Sequence, residues 1–137
     1  MPPPSPADLT APSLDQIETL ARDAMAGLPA PYRDRAQSVA LRVEDFASDD
    51  ILDDLGIDDA FGLTGLYDGI PLTEKSVMDQ PAGPDVIWLF RRAILDEWAE
   101  RGTVTLGDLV AHIMVHELAH HFGWSDADIA RIDRWWE

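Results

Sequence analysis

His116-Glu117-Leu118-Ala119-His120 constrains this chain more than any other feature, because these residues act together only on an α-helix. Four residues advance a helix by about 400°, so the two imidazoles stand one turn apart and roughly 40° round the axis. Both rings can then reach one metal ion. Glu117, beside the first ring, can reach a metal-bound water and take its proton. The flanking residues supply the helix: Thr105 with Asp108 three positions on is a capping-box arrangement, and Gly123 stops a segment running from Leu106 to about Phe122. The 137 residues include no cysteine. Disulfides, thiol catalysis and cysteine-ligated metals are therefore excluded, and any metal must be held by His, Asp or Glu.

Catalytic zinc takes three protein ligands and keeps a position for water. Extended, the motif reads H-E-x-x-H-x-x-G-x-x-D, with Gly123 and Asp126 in the last two named places. A glycine just past the helix end can turn left-handed and reverse the chain, which brings Asp126 back towards the imidazoles as third ligand. Asp126 also suits the N-cap of a last short helix, Ala127 to Trp136, and its two carboxylate oxygens allow both roles. Asp128 is a more distant choice of ligand. His112 precedes His116 by one turn and forms a ridge with His116 and His120, as an outer ligand, a supporting donor or a packing residue. His121 lies about 100° from His120 and does not easily share its metal. It is expected to support the site or face a substrate. Tyr67, Tyr32 and His121 are candidates to stabilise an oxyanion. Two imidazoles and a carboxylate also suit iron, but the helical H-E-x-x-H favours one zinc per chain.

The remaining sequence bounds what surrounds this helix. Twenty-six acidic against ten basic residues give a charge of -16, which repels phosphates and argues against nucleic acid. It favours cationic partners and solubility. No apolar stretch approaches the ~20 residues of a membrane span, and the Pro-rich start lacks the features of a signal peptide, so a cytoplasmic protein is expected. Residues 1–12 read as a flexible lead and 13–137 as a single domain.

Ser13 and Gln16 form a capping box before a helix from Leu14 to Ala26, which Gly27, Pro29 and Pro31 end. Ser38 to Phe46 alternates as a half-buried strand. Glu44 to Asp59 holds eight acids and no Lys or Arg. It lacks the EF-hand order and reads as a solvated loop or short helix. Gly62, Gly65 and Gly69 punctuate short strand pieces with tight turns, at spacings unlike a phosphate loop. Val86 to Phe90 is an apolar strand, and Arg91 to Glu100 a helix stopped by Gly102. A strand edge, Val86–Phe90 or Leu63–Tyr67, is expected to hold an extended peptide.

Val115-His116-Glu117-Leu118-Ala119-His120-His121-Phe122-Gly123-Trp124-Ser125-Asp126 resembles the small bacterial zincin-like metallopeptidases, an MMP-like family of roughly this length. Gly65 to Glu74 and Val86 to Arg92 are similar to two further segments of that family, so the resemblance runs from about Ser38 to Asp133. It implies an α+β, minimal zincin-like fold: a small mixed β-sheet packed on the N-terminal helix and the active-site helix, with a short C-terminal helix. It implies zinc on His116, His120 and Asp126. The larger relatives place a methionine turn after the motif, whereas Met1, Met25, Met78 and Met114 all precede His120. Trp124, Trp135 and Trp136 are candidates for the floor of the site, or simply core. The expected activity is zinc-dependent hydrolysis of peptide bonds through a zinc-bound water, with Glu117 as general base. The alternatives are a catalytically silent zinc-binding module and a zinc hydrolase of a non-peptide amide or ester. The expected partner is a peptide or protein substrate, with basic ones favoured by charge. Nothing in the sequence specifies an oligomeric state.

Overall fold

A strand that is apolar at every position needs cover on both faces, and Val86–Phe90 receives it from a separate core packed on each side of the sheet, with its two edges filled by neighbouring strands. In the computed structural model, which describes residues 7, 9–69 and 85–123, this strand (β3) separates two others. On one side β1 (Ala40–Glu44) runs parallel to it, from Ala40 opposite Val86 to Glu44 opposite Phe90. On the other, β2 (Gly65–Asp68) runs antiparallel, from Gly65 opposite Leu89 to Asp68 opposite Val86. The order is β1-β3-β2, a small mixed sheet. The expected strand over residues 38–46 is thus present in its central five residues.

The pleat sends Ile87 and Leu89 to one face and Trp88 and Phe90 to the other. Ile87 and Leu89 join the main core with Ile17 and Ala21 of α1 (Leu14–Ala26) and Leu109, Val110, Ile113, Met114 and Leu118 of α5 (Leu106–His121). Phe90 joins a smaller core with Ala47, Leu52 and Ala93, beneath α3 (Asp49–Leu55) and the start of α4 (Arg91–Arg101). A 3-10 turn at Ala60–Gly62 leads into β2.

Local chemistry explains the helix ends. Ser13 accepts from the Gln16 N–H at 3.2 Å while the Gln16 side chain accepts from the Ser13 N–H at 2.8 Å, the reciprocal box the sequence predicts. Pro29 and Pro31 do not simply end the structure after α1. A second helix, α2 (Ala30–Ala36), starts between them. Proline is tolerated in a first turn, where its missing N–H would have no partner. The acidic stretch forms the short helix α3, its first turn carrying Asp49 and Asp50 where the helix dipole favours acids. Thr105 caps α5 by accepting from the Asp108 N–H at 3.1 Å. Among the described residues, no helix is long and apolar enough to cross a membrane. Residues 1–6 of the lead, the segment 70–84, Asp126, Asp128, the last three tryptophans and the expected helix 127–136 lie outside the described residues.

Candidate metal centre

α5 buries Leu109, Val110, Ile113, Met114, Leu118, Ala119 and His121, which leaves His116, Glu117 and His120 half-buried on its adjoining face. The imidazoles of His116 and His120 are edge-on, with centroids 4.9 Å apart. One donor atom from each ring and one Glu117 carboxylate oxygen all lie within 4.8 Å of one another. Two nitrogens on one tetrahedral zinc stand about 3.3 Å apart, a spacing within that limit, so one zinc ion is compatible with the two imidazoles. His120 belongs to the last turn of α5, where the helix's partial negative end also favours a cation. Gly123 follows with φ +92°, the left-handed turn the extended motif requires.

Glu117 is held by an element distant in sequence. Its Oε1 accepts the backbone N–H of Tyr67 at 3.0 Å. Phe90 N–H bonds to Thr64 O, so the antiparallel alternation turns the peptide groups of Gly65 and Tyr67 away from β3 and those of Leu66 and Asp68 towards it. β2 comes this close to α5 because position 65 is glycine. A Cβ there would stand 2.7 Å from Ile113 Cγ2 and 3.5 Å from Glu117 Cγ.

The supporting residues take distinct places. His112 lies with its ring centroid 6.2 Å from that of His116. It lines a cleft of about 220 Å³ together with Thr64, Glu97, Arg101, Ile113, His116 and Glu117. His121 points into the core, 1% exposed. Tyr67 donates its hydroxyl to Asp85 Oδ2 at 2.7 Å and lies 3.3 Å from His121 Nδ1. Tyr32 packs its ring on Phe122 at 5.5 Å. Of the two strands considered for holding a peptide, Val86–Phe90 has both edges filled, while β2 has an outer edge among the described residues.

Sequence reasoning missed Asp85, and its only signal is an acid placed directly before a fully apolar strand. It also read Gly65 and Gly69 as turn residues, whereas both make room for close neighbours.

The family model for zincin-like metallopeptidases matches residues 36–136, well over half of the chain. Among curated proteins, none matches it.

Proposed function

The chain belongs to the zincin-like metallopeptidase family, and on that premise we propose that it is a zinc-dependent peptidase with Glu117 as general base. The observation that carries this reading is the convergence of His116, Glu117 and His120 within 4.8 Å, with the carboxylate restrained by a strand N–H. His116 and His120 hold the cation from consecutive turns of α5, and Asp126 completes the ligand set. Zinc, when bound there, supplies Lewis acidity that polarises a carbonyl and brings the pKa of water near neutrality.

The rest falls to the chain's own groups. The Glu117 carboxylate, oriented by the Tyr67 N–H, accepts the proton of the attacking water and then passes it to the departing amine nitrogen. An extended peptide lies along β2, the edge next to the site, and adds backbone hydrogen bonds there. One of its side chains enters the cleft beside His112 and Arg101. The charge of -16 supports a preference for basic peptides.

The test combines metal analysis with a peptide library. Wild type is expected to hold one zinc and cleave. Glu117→Gln is expected to keep zinc and lose cleavage, and Asp126→Ala to lose zinc. A wild-type protein that holds zinc and cleaves nothing is a binding module instead. One that cleaves only non-peptide amides is a different hydrolase, and one that holds no zinc overturns the reading altogether.

A further inference from the structure

A second polar cluster, unused by the chemistry above, joins β2, β3 and α5. Tyr67 donates its hydroxyl to Asp85 Oδ2 at 2.7 Å, and His121 Nδ1 lies 2.9 Å from the same oxygen. With Asp85 ionised, its Oδ2 accepts from both the Tyr67 hydroxyl and an Nδ1–H of His121. The pair is deeply placed, with Asp85 7% and His121 1% exposed. Burying a carboxylate and an imidazole is costly unless both are bonded, and an apolar set of similar volume commonly serves stability as well.

The fold nevertheless makes specific provision for Asp85. Its carbonyl accepts the Ala40 N–H at 2.8 Å, which pins its backbone to the start of β1. A Cβ at Gly69 would stand 2.5 Å from its carboxylate, so only glycine leaves that carboxylate its place. Tyr67 then links the two halves of the arrangement. Its side chain is held by Asp85 and His121, and its main-chain N–H holds Glu117 Oε1.

We propose that Asp85 is a positioning residue for Glu117: by fixing the Tyr67 phenol it fixes the Tyr67 N–H that orients the Glu117 carboxylate. The inference rests on the reading of Glu117 as base for its catalytic meaning, but the positioning itself has a readout independent of activity. Amide hydrogen exchange on the full chain follows the Tyr67 N–H, with Ile87 and Leu89 of the central strand as internal references.

Asp85→Asn, Tyr67→Phe and Gly69→Ala are each expected to speed exchange at Tyr67 roughly tenfold, as loss of one hydrogen bond would, while the references hold. Gly69→Ala displaces the carboxylate and leaves every partner chemically intact, so it guards against a misfolded Asp85→Asn. Because both residues act through one link, Asp85→Asn/Tyr67→Phe is expected to change Tyr67 exchange no more than either alone. On a peptide that wild type cleaves, the single variants are expected to lower kcat about tenfold with KM within twofold and zinc content unchanged. Unchanged exchange at Tyr67 overturns the proposal. So does a loss of protection shared equally by Ile87 and Leu89, which would make Asp85 a packing residue. If wild type cleaves no peptide, the peptidase reading fails while the exchange data still decide the positioning role.

Discussion

Gly65→Ala tests how closely the metal-binding helix is seated on the sheet. The new methyl would lie 2.7 Å from Ile113 Cγ2, about 1 Å inside ordinary carbon contact. Ile113 is 6% exposed and β-branched in mid-helix, so it holds one χ1 rotamer and cannot swing its methyl aside. The overlap is relieved only by lifting α5 from β2, and overpacking of this kind costs about 1–3 kcal/mol. Alanine in place of glycine within a strand recovers roughly 0.5–1 kcal/mol of backbone entropy. The net expectation is a loss of about 1–2 kcal/mol, or a fall in Tm of roughly 3–8 °C, read by urea and thermal unfolding. Ile113→Ala alone should cost about 2–5 kcal/mol as a cavity. In that background the obstructing methyl is gone, and Gly65→Ala should become neutral or slightly stabilising. A double-mutant cycle therefore yields a coupling of about 1–3 kcal/mol, the overlap cost itself. If Gly65→Ala is neutral in both backgrounds, α5 does not sit where the contact requires.

Added zinc should raise Tm, since at one hundred times Kd a ligand of the folded state contributes about 2.7 kcal/mol, and a chelator should reverse the shift. The shift should vanish in His120→Ala and persist in His112→Ala; the opposite pattern would move the metal one turn along the ridge. Ser13→Ala removes the acceptor for the Gln16 N–H and should cost about 1 kcal/mol in urea unfolding, with zinc binding unaltered. A destabilisation below a few tenths of a kcal/mol would mean that the cap contributes nothing measurable to α1.

Elements whose cause is local could be read from the sequence almost residue for residue. The helix 14–26 is one, because its capping box and apolar spacing lie within its own residues. α5 is another, starting at the predicted cap and ending one residue short of Phe122. The strand 86–90 was also legible, since an unbroken apolar run has few other uses. α2 was not: two prolines read as a stop, and whether a proline ends one helix or opens the next depends on which N–H groups lack partners. The strand order was equally out of reach. A parallel β1–β3 pair with β2 on the far edge is a matter of which strands meet, and no single strand's pattern encodes its neighbours.

The same division runs through the site. His116, Glu117 and His120 were visible because the chemistry needs them within one turn of one helix. What restrains them is far away in the chain: the N–H that holds Glu117 belongs to Tyr67, 50 residues earlier, and Asp85 lies 36 residues from the His121 it bonds. Asp85 is one acid among 26, and composition offers no way to single it out. Gly65 and Gly69 were visible as glycines, but their purpose is the space taken by Ile113, Glu117 and Asp85, which exists only once β2 meets α5 and β3. A metal motif can therefore be recognised from five residues, while the contact that orients its glutamate is a property of the sheet beneath it. Substitutions in β2 and at Asp85 should accordingly damage Glu117's function while leaving the histidines able to bind metal, and this separation distinguishes a built catalytic site from a bare pair of ligands on a helix.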